Sequence, residues 1–418
     1  MTADRRLSTV DRGLSTADCC IAGCGPAGAV LGYLLARAGI RVVVLEKHGD
    51  FLRDFRGDTI HPSVLEILDE LGLADSFLSL PHSKVSNVGG RTTAGQSVAF
   101  TFERLPTRFP YIAFVPQWDF LEFITREAAR FPSFALIRNT EVVDLLQRDG
   151  AVTGVRCRDA DGDYELAALL TVGADGRAAR TREAAQLPLL ETSPPMDVLW
   201  FRLPRLPEEP RAINGRLGAG RVLVMLDRGD YWQIAFVIAK GTADTIRTEG
   251  LEHFRQEVTR VAPELSDRVA GITDWEQVKL LTVRADRLVT WHKPGFLAIG
   301  DAAHAMSPIG GLGINVAIQD AVAAANVLWR PLSEHRVTEA DLAEVQRQRE
   351  RPVRLLQAFQ SVVQNRFLGP ALASSNTPSI PLAVRLVSKI PILRDIPPRL
   401  VAFGIGRPHV ESPERAAT

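Results

Sequence analysis

A glycine-rich turn between a short apolar strand and a helix constrains the fold of this chain more than any other feature. The apolar run 19–22 leads into the turn 23–28, and good helix formers follow up to Gly39. A second apolar, β-branched run then ends in Glu46, eighteen residues after the last glycine of the turn. This order of strand, turn, helix and strand predicts a βαβ unit in a parallel sheet.

Each glycine of the turn has a physical task if the unit binds a dinucleotide. Gly23 makes the tight turn, Gly25 lets the backbone approach a pyrophosphate, and Gly28 lets the helix pack closely on the strand. The phosphates would lie at the helix N-terminus, where free N–H groups and the helix dipole favour an anion. Glu46 is placed to bind a ribose and disfavours a 2′-phosphate, so the pattern favours FAD or NAD over NADP.

Two later apolar strands also end in glycine and an acid, at Asp175 and Asp301. Ligands of open α/β sheets lie outside the carboxyl ends of the strands, where these carboxylates would project. After Asp301 a glycine-rich loop feeds an alanine-rich helix, which we predict over 316–330 with Pro331 as its stop. Two amide cradles in one fold predict a long ligand with an anion at each end.

Composition excludes several other classes of protein. The 49 basic and 49 acidic residues cancel, which gives no electrostatic sign of nucleic-acid or membrane binding. No run approaches eighteen apolar residues and the N-terminus lacks a secretory pattern, so we expect a cytoplasmic chain without a transmembrane segment. The cysteines, three of them within 19–24, have no zinc-ligand spacing, so we expect small buried side chains and no metal.

Five segments of the sequence carry a family resemblance. They are GCGPAG at 23–28 together with Glu46, FRGDTIHPSVLEILDELGL at 55–73, VPQWDFLEFI at 115–124, GADGRAARTR at 173–182 and GDAAHAMSPIGGLGINVAIQDA at 300–321. With them the chain resembles the group A FAD-dependent (flavoprotein) monooxygenases, the para-hydroxybenzoate hydroxylase-like family, over most of 18–330. Ala179 and Thr181 stand where that family usually has serine and valine.

The resemblance implies an α/β fold with a Rossmann-like FAD-binding domain, an inserted antiparallel β-sheet substrate domain and a C-terminal helical region. The β-rich runs 85–102 and 196–240, interrupted by glycine and proline, also indicate antiparallel strands in a second layer. The expected bounds are 1–17 for a flexible tail, 18–80, 115–185 and 280–335 for the FAD-binding domain, 81–114 and 186–279 for the substrate domain, and 336–418 for the helical region.

By the same resemblance, FAD binds tightly along the turn, the strand ends and the second cradle. Ala27 would lie against the pyrophosphate, Arg56 near the flavin and its phosphates, and Gln117 at the ribityl chain. Val143 would offer backbone to the adenine, and Asp301 would bind the ribityl or pyrophosphate part. The full expected set is Gly23, Gly25, Ala27, Gly28, Glu46, Lys47, Arg56, Gln117, Val143, Asp175, Asp301, Gly311, Gly313, Ile314 and Asn315.

The implied reaction is aromatic hydroxylation with O2 as co-substrate. NADPH or NADH would bind transiently and reduce the flavin, and a flavin C4a-hydroperoxide would transfer oxygen to the substrate. Backbone N–H groups at 313–315 would stabilise the reduced flavin. No catalytic side chain is expected, since the flavin carries out the chemistry, and Pro308 would border its substrate side.

The substrate would lie between the flavin and the second sheet. Strand alternation puts Trp200 and Arg202 on one face of their strand, and Tyr231 and Gln233 on one face of theirs. Aromatic walls with a few polar groups suit a phenol or a polyketide-like ring. Ordinary core packing of Trp200 and Tyr231 remains an equal alternative.

Three other functions stay open for the sequence. A flavoprotein dehydrogenase or oxidase and a non-redox cyclase that uses FAD as a scaffold fit the same fold, and a non-enzymatic FAD-fold binding protein is a further alternative. A tryptophan halogenase is disfavoured because its Trp-x-Trp-x-Ile-Pro signature is absent. The apolar and basic stretch 384–394 favours docking on the chain itself or in a homodimer over a membrane surface. His304 is expected to be structural.

Overall fold

The computed structural model describes residues 16–52, 58–374, 376, 379–391 and 393–415. Its strands are β1 Thr16–Ala22, β2 Val42–Glu46, β3 Thr59–Ile60, β4 Ser83–Val85, β5 Asn87–Thr92, β6 Ser97–Thr101, β7 Ile112–Phe114, β8 Phe134–Arg138, β9 Glu141–Arg148, β10 Ala151–Asp159, β11 Gly162–Gly173, β12 Leu189–Thr192, β13 Met196–Pro204, β14 Ile213–Gly218, β15 Arg221–Asp227, β16 Tyr231–Ala239, β17 Lys279–Leu281, β18 Ala285–Leu288, β19 His292–Lys293 and β20 Phe296–Ala298. Its α-helices are α1 Pro26–Arg37, α2 Pro62–Glu70, α3 Ala74–Phe77, α4 Gln117–Ala128, α5 Arg180–Ala184, α6 Ala243–Glu249, α7 Leu251–Val261, α8 Gly313–Ser333, α9 Glu339–Val363, α10 Gly369–Ala373, α11 Leu382–Lys389 and α12 Ile396–Phe403.

The larger sheet holds the predicted βαβ unit. Its strand order is β19-β20-β11-β1-β2-β8, and β10 and β9 extend it from β11. β20, β11, β1, β2 and β8 run parallel, and β1 and β2 are buried on both faces, as strands covered by helices are. The carboxyl ends of β1, β2, β11 and β20 therefore meet at one edge, next to Gly23, Glu46, Asp175 and Asp301.

The second sheet has the strand order β17-β13-β16-β15-β14-β5-β6 and is antiparallel except between β14 and β5. Phe201 and Phe236 on its outer face pack edge-on against Phe254 of α7. Its inner face packs against α10 and against Ile309 in the glycine-rich loop. The loop that leads into α8 thus lies beside the inner face.

The predicted α/β fold, with a second sheet layer and C-terminal helices, is confirmed. Three details differ from the expectation. β1 already begins at Thr16, inside the expected tail, and β17 pairs with β13 in the second sheet although 280 was the expected start of a FAD-binding segment. α8 continues through Pro331 to Ser333: Pro331 and Leu332 are both buried, and this burial offsets the helical hydrogen bond that proline cannot donate.

Two expectations from composition are tested by burial. The four cysteines are free and buried, which confirms that they are small core side chains, and burial raises the pKa of Cys157 to about 12. Among the described residues, one helical segment, Ile309–Ser333, is long and apolar enough to cross a membrane. Of the 18-residue apolar stretch within it, 78% is buried inside the protein, as expected of a core helix.

Candidate active site

The first glycine turn forms a cradle of backbone amides at the start of α1. Gly25 is the N-cap, Pro26 follows it, and no described side chain caps the helix. A Cβ on Gly28 would lie 2.0 Å from the carbonyl oxygen of Gly23, so only glycine allows the helix to approach the turn this closely. A Cβ on Gly25 would meet nothing within 4 Å, which leaves open space at the N–H groups of the first turn.

Glu46 lies beside this cradle at the end of β2. Its Oε2 accepts a hydrogen bond from the N–H of Cys24 at 3.1 Å, and its Oε1 accepts one from the N–H of His48 at 3.1 Å. The carboxylate therefore lies against the glycine turn itself. Lys47 is exposed, and Val143 is half-buried on β9, which pairs only with β10 among the described strands.

Asp175 and Asp301 follow neighbouring strands, but their carboxylates have different partners. Both oxygens of Asp175 accept from Thr181, one from its N–H at 3.0 Å and one from its hydroxyl at 2.7 Å, at the start of α5. Thr181 supplies this hydroxyl where the family usually has valine, and a contact between Asp175 and FAD stays a prediction. Asp301 stays about one-third exposed, and its Oδ2 accepts from Nε of Arg177 at 3.2 Å.

The second cradle lies at the start of α8, which no described side chain caps. Gly310 and Gly311 precede it with φ of 76° and 64°, a left-handed backbone that favours glycine. The Thr59 hydroxyl and the Asn315 side-chain amide each donate to the Gly311 carbonyl oxygen at 3.0 Å. The Asn315 side chain is thus occupied within the protein, and what α8 offers a ligand here is the backbone N–H groups of Gly313, Ile314 and Asn315.

A buried ion pair connects the residue before β3 to the second sheet. Asp58 pairs with Arg228, which follows β15 of the second sheet, and the Asp58 Oδ1 accepts from the N–H of Gln117 at 3.3 Å. Burial raises the pKa of Asp58 to about 6, although Arg228, the Gln117 N–H and Arg202 act in the opposite direction. Arg56, which was expected near the flavin, lies outside the described residues.

The predicted substrate residues share the inner face of the second sheet, as the pairing of β13 with β16 shows. They are Trp200, Arg202, Tyr231 and Gln233. The Arg202 guanidinium lies 5.0 Å from the centre of the Tyr231 ring, a cation–π distance. Trp200 packs in the same cluster as Ile309, the neighbour of Pro308, so this face borders the loop before α8.

Comparison with known proteins decides the family. Residues 16–358 match the family described as FAD binding domain, which is most of the chain. A 6-methylpretetramide 4-monooxygenase of Streptomyces rimosus is 30% identical over 392 residues, which cover 93% of this chain and 92% of that protein. The chain belongs to the group A FAD-dependent monooxygenases. It is therefore an FAD-binding oxidoreductase.

Two further likenesses show how widely this monooxygenase fold is used. A dialkyldecalin synthase of Streptomyces rugosporus is 28% identical over 319 residues, covering 74% of this chain and 64% of its own length. Several other relatives are also longer, and the chain spans less than two thirds of each of them. The crystal structure of p-nitrophenol 4-monooxygenase PnpA from Pseudomonas putida DLL-E4 superposes with a TM-score of 0.75 at 19% identity, over 94% of this chain and 99% of that one, which shows the fold alone.

The monooxygenase holds His304 in a buried ionic network. The His304 Nε2 lies 2.6 Å from Oδ2 of Asp320, and Oδ1 of Asp320 accepts from Nε of Arg349 at 2.8 Å. The same carboxylate accepts from the N–H of Gly300 at 3.1 Å, and so fixes the turn before Asp301. These contacts agree with the structural role expected for His304.

Sequence reasoning missed two residues of the site. Asp58 and Arg177 both lie inside motifs of the monooxygenase, but the motifs do not indicate their partners. Asp58 pairs with Arg228 and Arg177 pairs with Asp301, and each pair is more than 120 positions apart in the sequence. Only the folded chain brings these charges together.

We expect Asp58 to make stability depend on pH in an unusual direction. The folded chain keeps its proton up to about pH 6, whereas the unfolded chain releases it near about pH 4. The contribution of Asp58 to the free energy of unfolding therefore falls as the pH rises between these values. In urea unfolding, the stability of the wild type relative to Asp58→Asn should fall from pH 4 to pH 6.5. A constant difference would contradict the assigned pKa.

The exposed Asp163 provides the control for this titration. Its hydrogen bond to Arg158 lowers its pKa, so the wild type should not lose stability relative to Asp163→Asn over the same range. A fall of the same size in both comparisons would mean that the effect does not come from the buried carboxyl.

Proposed function

We propose that this chain is a NADPH- or NADH-using, FAD-dependent monooxygenase that hydroxylates an aromatic or polyketide-like small molecule with O2. One observation carries the proposal: two amide cradles lie on the same edge of one sheet, and the inner face of a second sheet borders one of them. The two helices that carry the cradles approach each other at Gly300, where a Cβ would lie 3.1 Å from Cβ of Ala27 in α1 and 3.3 Å from Cβ of Ala317 in α8.

The residues of the first cradle suit FAD. The open space at Gly25 accommodates a diphosphate at the start of α1, and the half-exposed Glu46 carboxylate beside it suits ribose hydroxyls and repels a 2′-phosphate. We propose that Ala27 and Gly28 contribute to the same cradle, and that Gln117 and Asp301 serve the ribityl chain. Lys47 and the backbone of Val143 would serve the adenosine end.

When bound, FAD would supply the electron transfer from the nicotinamide and the activation of O2. The chain's own part is to bind, orient and stabilise. Free N–H groups at 313–315, aligned by the 21-residue helix α8, would hold negative charge at the ring edge. Donors of this kind are worth about 2.7–4 kcal/mol each where they have been removed from other enzymes. No side chain needs to act as a nucleophile.

The inner sheet face supports an aromatic substrate. Trp200 and Tyr231 offer ring surfaces, and Arg202 and Gln233 place polar groups among them, which suits a flat molecule that carries hydroxyl or keto groups. Pro308 would border the substrate on the side opposite the inner sheet face. The 6-methylpretetramide and p-nitrophenol named for two relatives are molecules of this general kind.

The test is substrate-stimulated oxidation of NADPH or NADH, scored on a panel of phenols and polyketide-like aromatics. We expect consumption of O2 and of the nicotinamide together with hydroxylated product. Turnover of a substrate without consumption of either would favour the non-redox cyclase, and oxidation without oxygen in the product would favour a dehydrogenase or an oxidase.

Trp200→Ala and Arg202→Ala are expected to raise the KM for the substrate by about tenfold or more, through lost ring contact and lost polar contact. Their FAD content should equal that of the wild type, because neither residue lies at the cradles. Trp275→Ala is the matched control, since Trp275 packs on Phe254 behind the outer face. If Trp200→Ala loses FAD and stability together with substrate binding, core packing is the correct interpretation of Trp200.

We also propose that the protein is cytoplasmic and that it forms a homodimer. Leu382 and Leu386 of α11 are exposed by 67% and 48%, so the chain itself does not cover these two side chains. A second copy would cover them.

A further inference from the structure

Three glutamines of the C-terminal helix hold the loop that leads into α8. Gln357 and Gln360 lie on α9, Gln364 follows it, and the spacing of three and four residues puts all three on one side. The Gln360 Nε2 donates to the carbonyl oxygens of Ser307 at 3.0 Å and of Ile309 at 2.8 Å. The Gln364 Nε2 donates to the Ser307 hydroxyl at 2.6 Å.

These hydrogen bonds are buried, which makes them costly to lose. Gln360 is 2% exposed, Gln364 5% and Ser307 2%. A buried acceptor left without a donor costs about 1–3 kcal/mol, more than the net gain of an ordinary hydrogen bond. Gln360 uses both of its amide hydrogens on the loop, so its removal would leave two carbonyl oxygens without this donor.

The loop also needs support from outside. It passes through Gly310 and Gly311 in left-handed conformations, inside the short 3₁₀ turn Ile309–Gly311 that precedes α8. Thr59 and Asn315 hold it at Gly311 from the side of the FAD cradle. The glutamines hold it at Ser307 and Ile309, the two neighbours of Pro308 in the sequence.

The same part of the chain connects the loop to the substrate face. α9 ends in a π-helical turn, Gln364–Leu368, and π-turns inside helices are frequent at functional sites. Leu368 at the end of this turn and Ala371 and Leu372 of α10 pack on the inner face of the second sheet with Trp200. One continuous helical segment therefore contacts both sides of the space where the substrate is proposed to lie.

We propose that Gln360 and Gln364 are positioning residues that fix the loop carrying Pro308, and with it the distance between the flavin ring and the substrate on the inner sheet face. This inference rests on the proposed function. The side chains touch neither substrate nor cofactor, and they act through the loop. Neither residue lies inside the family match, which ends at 358.

Loss of these glutamines is expected to act first on coupling, the yield of hydroxylated product per nicotinamide oxidised. A loop that is free to move misplaces the substrate relative to the ring, and misplacement by about 1 Å can cost about 100-fold in rate. In Gln360→Met and Gln364→Met we therefore expect the yield of product per nicotinamide oxidised to fall about threefold or more, with a matching rise in released peroxide. FAD affinity should stay within about twofold of wild type, because the cradle at α1 is untouched.

The experiment uses the holoenzyme with three readouts: product per nicotinamide, the change of the visible flavin spectrum on adding substrate, and hydrogen exchange of the amides in 305–315. Gln348→Met is the matched control, since Gln348 is exposed on the same helix and bonds only to Glu344 among the described residues. We expect faster exchange and an altered spectrum in the two loop variants and not in the control.

Wild-type coupling, spectrum and exchange in a folded Gln360→Met protein would overturn the inference. If Gln360→Met does not fold, Ser307→Ala decides, because it removes only the Ser307 hydroxyl, which accepts from Gln364 and, at 3.4 Å, from the Ile309 N–H of the same loop. Wild-type coupling and exchange there would overturn the inference equally. The proposed function fails in a different way, by absent FAD or by no nicotinamide oxidation in the wild type itself.

Discussion

A Gly25→Asp variant is expected to fold normally and to bind FAD about 100-fold or more weakly. Gly25 has φ −73° and ψ −177°, which any residue adopts, and its Cβ would meet nothing within 4 Å. Aspartate is also a favourable N-cap. Its carboxylate would, however, stand where the diphosphate is proposed to bind, and like charges set against each other cost several kcal/mol, which is at least about 100-fold in affinity.

Flavin fluorescence titration of the apoprotein measures this affinity, and thermal unfolding checks the fold. Gly271→Asp is the matched control, because Gly271 also has no neighbour within 4 Å of its Cβ position but lies away from both cradles. Gly28→Ala should behave in the opposite way and lose stability, since its Cβ would lie 2.0 Å from a carbonyl oxygen. Unchanged FAD affinity in Gly25→Asp would show that the first cradle does not bind the diphosphate.

Asp320→Asn is expected to lower the free energy of unfolding by about 3–5 kcal/mol, because it leaves the buried Arg349 guanidinium without its counter-charge. Burial alone would raise the pKa of Asp320, but His304 and Arg349 outweigh it and lower that pKa, so the carboxylate is ionised at neutral pH. Urea unfolding at pH 7 measures the loss.

Asp163→Asn is the control for this substitution. Asp163 also pairs with an arginine, Arg158, but on the surface, where such pairs contribute little. We expect no clear change in the urea midpoint there. Equal effects of the two substitutions would show that the network around His304 does not stabilise the fold more than a surface pair does.

The parallel sheet was predictable because its signals are local. Gly23, Gly25 and Gly28 stand in one short turn, and their tasks can be derived from the backbone geometry of a strand that enters a helix. The strand ends at Asp175 and Asp301 could be found for the same reason, since apolar runs followed by glycine and acid are visible in a single window.

Contacts between distant segments could not be predicted in this way. Asp58 meets Arg228 across 170 positions, and Gln360 meets Ser307 across 53. The orientation of Asp175 is set by the N–H and the hydroxyl of Thr181, which no pattern signals. Pro331 lies inside α8 although proline usually ends a helix, because burial of its neighbour Leu332 outweighs the lost hydrogen bond.

A crystal structure of the protein purified with its flavin tests the central claim most directly. We expect one FAD per chain, with its diphosphate at the N–H groups of the first turn of α1, beside Gly25. We also expect the ring edge to face the N–H groups of Gly313–Asn315, with Pro308 on the substrate side. A protein that binds no FAD, or a ring placed away from the start of α8, would contradict the central claim.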